Sequence, residues 1–163
     1  MKRNIITAII MILSINFCFA QFQKGKGWME KPLSEWPVYI MKLSNGTEKI
    51  TRLPLVIWGK QTNGVKLLNR DSFYVKHPEI KGTNVVAYPL FSSVKRVLNL
   101  TEILDHFKIK REYRNFEIEV VGYDHLPISI QKDICAAENS IESVTVDELR
   151  KKIVIKKYPD QKN

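Results

Sequence analysis

The sequence predicts an α+β fold: a small mixed sheet with two helices, preceded by a β-hairpin-rich N-terminal half. Three observations predict it. Leu98-Asn99-Leu100-Thr101-Glu102-Ile103 carries a helix-start pattern. The runs 116–120 and 141–146 alternate apolar and polar residues, as half-buried strands do, and 153–155 adds a short apolar strand. Asn45-Gly46 lies between two apolar runs, which signals a hairpin.

The chain begins with a basic Met1-Lys2-Arg3, followed by an apolar run from Ile5 to Ala20. Cys18 and Ala20 supply small residues at minus three and minus one, so residues 1–20 are expected to be a cleaved signal peptide. The run is short for a membrane span. A lipid anchor on Cys18 would need small residues before it, and Asn16-Phe17 does not provide them. A Gln after the cleavage point, in a chain rich in Ile, Lys and Asn, is similar to secreted proteins of Bacteroidota. The expected location is therefore the periplasm. Loss of Lys2 and Arg3 lowers Lys+Arg from 26 to 24 against 17 Asp+Glu, leaving a net charge of about +7. Cys135 is then the sole cysteine, which excludes an internal disulfide; between two apolar neighbours it reads as a small buried residue.

Residues 21–33 read as an extended arm holding Trp28, an aromatic that can anchor a partner or tuck onto the domain itself. Residues 34–97 form the β-rich half. Trp36–Leu43 is an expected strand, Ser44–Thr47 its turn, and Lys49–Lys60 the returning strand. Pro54 puts that return on an edge or at a bulge. Thr62-Asn63-Gly64 is a second turn, with strands expected at Val65–Leu68, Phe73–Val75 and Val85–Tyr88. His77–Asn84 is read as a loop, and an irregular approach leads to Asn99.

Residues 98–158 form the C-terminal unit. Asn99 is the expected N-cap, Glu102 the capping-box partner, and Leu98 with Ile103 the staple. Leu100, Ile103, Leu104 and Phe107 give one apolar face, and the basic run 108–114 ends the helix. After the strand at 116–120, Gly122 and 124–127 turn the chain. Ser129 is read as the cap of a second helix carrying Ile130, Ile134 and Ala137 and ending near Asn139. Strands at 141–146 and 153–155 follow, joined by a polar turn at 147–151.

Leu-Asn-Leu-Thr-Glu-Ile-Leu, a strand ending Val-Val-Gly, then Leu-Pro-Ile, Ile-Glu-Ser-Val-Thr-Val and Lys-Ile-Val-Ile-Lys-Lys follow in this order. That order resembles the plug domain of TonB-dependent outer-membrane receptors. It departs from the plug pattern at Asp147-Glu148-Leu149-Arg150, where a Gly-rich joint is usual, and at Val121, where an acid is usual. The resemblance implies a free-standing plug-like module associated with the outer membrane. It names an outer-membrane protein or a secretion or assembly complex as partner.

Asp105-His106 and Asp124-His125 are the pairs that suggest acid–base chemistry. Adjacent helical positions point apart, and Asp in a turn serves the backbone, so both have structural explanations. His77, His106 and His125 lack metal-ligand spacing, and no nucleophile elbow, phosphate loop or dinucleotide fingerprint occurs. The expected protein is not an enzyme and carries no cofactor and no metal. A hydrolase built on Asp124 and His125 is the last alternative. The expected docking residues are Trp28 with a basic rim of Lys108, Lys110, Arg111, Tyr113, Arg114, Arg150, Lys151 and Lys152. A basic patch with tyrosine also suits nucleic acid, which the signal peptide argues against. The remaining alternative is a soluble envelope-binding module whose basic face holds an anionic glycan or lipid.

Overall fold

The computed structural model describes residues 36–67, 70–80, 84–123 and 126–160. The signal segment, the arm with Trp28, and Asp124 and His125 lie outside the described residues. The fold is α+β, built on three small mixed sheets rather than one.

The first sheet contains β1 (Val38–Lys42), β2 (Glu48–Thr51), β4 (Lys66–Leu67) and β5 (Val85–Pro89), in the order β2-β1-β5-β4. β1 and β2 form the expected hairpin, with Ile40 opposite Ile50. Its turn works because Gly46 takes φ +87°, which a side chain would resist. The Asn45 side chain accepts the Thr47 N–H at 2.9 Å. β1 runs parallel to β5. Helix α1 (Arg70–Lys76) covers one face of this sheet, where Phe73 packs with Val38, Ile40, Ile80 and Val85.

Phe73–Val75 is thus helical, not the expected strand. Phe73 is buried while Val75 is 86% exposed, so the helix buries one face of a run whose aromatic and β-branched residues favour strands. The expected loop after it contains a 3-10 turn at Pro78–Ile80.

The returning strand of the hairpin does not run through to Lys60. It breaks at Arg52, and β3 (Leu53–Leu55) joins a different sheet. Thr51, 1% exposed, makes the break: its hydroxyl accepts the Leu53 N–H and donates to the Asp133 carbonyl. The following turn centres on Gly59–Gln61 rather than on 62–64, with Gly59 at φ +76° and the Gln61 N–H bonded to the Ile57 carbonyl.

The middle sheet has the order β3-β8-β6, with β6 at Val97–Asn99 and β8 at Ile134–Ala137. Pro54 sits on its edge strand, as a residue without an N–H must. β6 replaces the expected irregular approach to Asn99. β8 replaces most of the expected second helix: α3 spans only Ile128–Gln131, its N-cap is Pro127 and not Ser129, and Asn139 at φ +60° turns the chain between strands. The reason lies in β8's burial. Ile134 and Ala136 enter the core beneath the third sheet; Cys135 and Ala137 enter the core shared with Tyr39, Met41 and Tyr88 of the first. A strand apolar on both faces shows no period of two, and four apolar residues in a row resemble a helix face equally well.

The third sheet has the order β7-β10-β9, with β7 at Glu117–Val120, β9 at Ile141–Asp147 and β10 at Lys152–Lys157. Ile118, Val120, Ile153 and Ile155 point inward and are 3% exposed or less. Helix α2 (Leu100–His106) closes this core with Ile103 and Leu104. Its capping box forms as expected: the Asn99 side chain accepts the Glu102 N–H at 2.9 Å, and Glu102 accepts the Asn99 N–H at 2.7 Å. Its C-terminus is a Schellman motif. Lys108 takes φ +56°, its N–H bonds Asp105, and the Ile109 N–H bonds Leu104.

Candidate functional site

The expected basic rim is assembled and partly neutralised. Tyr113 donates to Glu148 at 2.8 Å, which joins the 108–114 segment to the 147–151 turn. That carboxylate pushes the Tyr113 phenol up to about 12. Arg114 pairs with Asp105 at 2.6 Å, Lys110 with Glu112 at 3.5 Å, and Arg150 with Asp147 at 2.7 Å. Lys152 lies 3.0 Å from Glu119 and 3.9 Å from Glu117. Lys108 (φ +56°) and Lys151 (φ +51°) take left-handed backbone, and neither side chain has a carboxylate partner among the described residues. Arg111 opens an exposed 3-10 turn. The rim is a mixed-charge face, and exposed pairs of this kind are worth about 0–1 kcal/mol each.

A different group of cations surrounds a basin of about 540 Å³. Its lining comes from four places. Gly46, Glu48, Lys49 and Ile50 belong to the first hairpin, and Lys76 and His77 to the end of α1. Asn99 is the cap of α2; Lys132, Asp133 and Cys135 run from the end of α3 into β8. Thr51 holds this last segment in place through the Asp133 carbonyl. The basin therefore opens where the first and middle sheets diverge.

Its electrostatics follow from shared counterions. Glu48 accepts from both Lys42 (3.1 Å) and Lys76 (3.2 Å). The Lys42 contact, then Lys76, holds its carboxyl below the ordinary range, with burial opposing. Lys49 meets Glu102 at 2.6 Å, and this contact together with the Asn99 N–H lowers the Glu102 carboxyl. Arg52 pairs with Asp133 at 3.4 Å. Lys132 has no carboxylate partner among the described residues and is exposed. Cys135 closes the basin at 5% exposure, and burial pushes its thiol up to about 11, so it is neither a nucleophile nor an anion here.

Among the described residues no group of three or more His, Cys, Asp or Glu is placed to hold a metal ion, and no helix is long and apolar enough to cross a membrane. His106 stacks edge-on against Phe107, while the neighbouring Asp105 pairs with Arg114, so these two adjacent residues serve different partners. Comparison with protein-family models, with curated proteins and with solved structures gave no match.

The basin residues escape sequence reading because Lys49, Lys76 and Lys132 belong to three distant segments, each unremarked alone. The one local signal was the Asn99–Glu102 box, which marks the cap but not its place on a basin wall.

Proposed function

We propose that this chain is a non-enzymatic binding module of the cell envelope, which holds an anionic molecule in the basin between its first and middle sheets. The observation that carries the reading is convergence. Lys49, Lys76 and Lys132, with His77, line one cavity from three separate segments of the chain. Its volume falls in the range of roughly 300–1,000 Å³ usual for small-molecule sites, but it is open and its lining is far more charged than theirs, which suits a charged ligand. The basic excess of the whole chain favours anionic partners and draws them in.

The test is chemical-shift mapping of the purified chain with soluble anionic fragments of envelope glycan at low salt. Amide shifts confined to residues 46–50, 76–77, 99 and 132–135, fading as salt rises, are expected. Shifts spread over residues 108–114 and 150–152 instead would move the site to the rim and end this reading.

A second reading keeps the chain as an accessory subunit of an outer-membrane barrel or secretion complex. It draws on β9, a seven-residue strand at the edge of the third sheet. The other edge strand, β7, has its Ile118 N–H taken by the Gln131 side chain at 3.0 Å. An extended segment of a partner can add to a strand edge through backbone hydrogen bonds. The resemblance of residues 98–157 to a receptor plug belongs with this reading. Co-elution of an outer-membrane protein with the tagged chain at moderate salt is its expected result; a bare monomer would exclude it.

A further inference from the structure

We infer that two copies of this chain pair through β9, joining their third sheets edge to edge about a two-fold axis at Thr145. The inference goes beyond the basin and does not depend on it.

The two edges of the third sheet differ. On β7, the Ile118 N–H is taken by the Gln131 side chain at 3.0 Å, and the Val120 carbonyl accepts the Tyr123 N–H at 2.9 Å. That edge is sealed from within the chain. β9 is the longest strand among the described residues, and no strand lies on its outer side among them. The other sheets end in strands of two to four residues. Long edges are usually blunted by Pro, by Lys or by a bulge. Residues 143–147 have none of these; the register with β10 shifts at Glu142, before them.

Which backbone groups are open follows from β10. Its Lys151 and Ile155 carbonyls accept from Glu117 and Val121 on the β7 side, at 3.1 and 2.9 Å. Backbone groups alternate sides along a strand, so the odd residues of β10 serve β7 and the even ones serve β9. The even ones, Lys152, Val154 and Lys156, lie opposite Asp147, Thr145 and Ser143. Val144 and Val146 therefore turn N–H and C=O to the outer edge, where no partner meets them among the described residues. Their side chains are half-buried against the main core.

The occupant follows from the register. An antiparallel second copy with Thr145 on the axis places Val144 opposite the partner's Val146, and the two exchange N–H and C=O as a hydrogen-bonded pair. Valine meets valine at the rim of the core, which removes apolar surface from water. Thr145 meets the partner's Thr145 on the solvent face, a favourable cross-strand pair. Ser143 meets the partner's Asp147, a hydroxyl facing a carboxylate. No charge faces a like charge between 143 and 147. Sliding the copies either sets Glu142 against the partner's Val146 or runs Val144 into the turn at Glu148. This self-match selects a second copy over an unrelated strand. A paired β9 leaves no edge for a barrel-borne segment, so the two occupants exclude each other.

The experiment is sedimentation of the purified chain, with cross-linking to fix the position. The weight-average mass is expected to climb toward twice the monomer value between about 10 µM and about 1 mM, the range of small interfaces. Thr145→Lys, at an exposed side chain, sets like charges face to face; it is expected to weaken association about fivefold and leave the urea midpoint unchanged. Thr145→Cys brings two thiols together on the axis, within disulfide reach, while Cys135 stays buried. Oxidation by diamide is expected to give a covalent dimer of Thr145→Cys and none of Ser143→Cys. A chain that stays monomeric at the highest concentration, with no Thr145→Cys dimer, overturns the pairing. Association unmoved by Thr145→Lys overturns its place on β9. Cross-linking of Ser143→Cys as readily as Thr145→Cys overturns the register. None of these outcomes bears on the basin, so anion binding there is tested separately.

Discussion

The Lys49 ammonium lies 2.6 Å from Glu102 Oε2, and the same oxygen accepts the Asn99 N–H at 2.7 Å. One carboxylate thus closes the first turn of α2 and ties that helix to the first sheet. It also fixes Asn99 and Lys49, which both line the basin. A contact that looks like a helix cap in sequence is, in the fold, a joint between two sheets.

Glu102→Gln separates these duties. Glutamine can still close a capping box, but it releases Lys49. The Glu102 side chain is 41% exposed, so losing the ion pair is expected to cost no more than about 1 kcal/mol. Asn99→Ala removes the cap itself and is expected to cost about 0.5–2 kcal/mol. Urea unfolding compares the two. Anion titration of Glu102→Gln is expected to show tighter binding, because Lys49 loses its competitor. Weaker binding would contradict the role given to Lys49.

Acid stability follows from the same carboxylates. Glu48 and Glu102 are held below their ordinary value of 4.5 by Lys42 and Lys49 respectively. As pH falls, the unfolded chain takes up these protons before the folded one. The stability they contribute is therefore complete above about pH 4.5 and is lost as pH falls through the lower folded values. Urea midpoints between pH 6 and 3 are expected to drop at the acid end. The drop should be shallower in Glu48→Gln/Glu102→Gln, and an unchanged slope would remove these groups from the account.

What was legible in the sequence was local. The Asn99–Glu102 box, the Asn45-Gly46 turn and the strands flanking Gly122 and Lys151 each depend on residues a few positions apart. β8 was not legible, because Ile134 and Ala136 face one core and Cys135 and Ala137 another. Phe73-Tyr74-Val75 favours a strand by propensity, and only packing against Ile40 and Val85 makes it helical. The charge runs at 108–114 and 150–152 drew attention by being contiguous. Glu112 lies within the first run, but the other counterions, Asp105, Glu117, Glu119, Asp147 and Glu148, lie outside both, and Asp105, Glu117 and Glu119 sit on other elements. The basin had the reverse character: dispersed in sequence, gathered in space.

Ile134→Ala and Ile128→Ala test the boundary between α3 and β8. Ile134 is fully buried, and its truncation is expected to cost about 2–5 kcal/mol. Ile128 is 78% exposed, so its truncation is expected to stay within about 0.5 kcal/mol. A continuous helix through Ser129–Asn139 would instead bury Ile130, Ile134 and Ala137 on one face and leave Ala136 tolerant of larger residues. Ala136→Leu, at 0% exposure between β3 and β6, is expected to cost about 1–3 kcal/mol.

Lys108→Gly is expected to stabilise. Lys108 occupies the left-handed position of the Schellman motif that ends α2, at φ +56°. Left-handed backbone costs an L-residue roughly 1–2 kcal/mol, partly offset here because glycine loses more chain entropy on folding. The net gain should be up to about 1 kcal/mol in urea unfolding. A loss of stability would show that the Lys108 side chain makes a contact worth more than the strain.

Cys135 reports on the basin wall without any mutation. Its thiol is pushed up to about 11 from an ordinary 9.0, chiefly by burial, with Lys49 and Thr51 opposing. At pH 8 this lowers the thiolate fraction about a hundredfold, and thiolate is the reactive form. Iodoacetamide at pH 8 is therefore expected to label the native chain at least about a hundredfold more slowly than the urea-unfolded chain. Because Cys135 also lines the basin, a bound anion is expected to slow labelling further. Native labelling within about tenfold of the unfolded rate would mean that the basin floor opens readily, and the cavity would then lack the fixed wall that ligand selection requires.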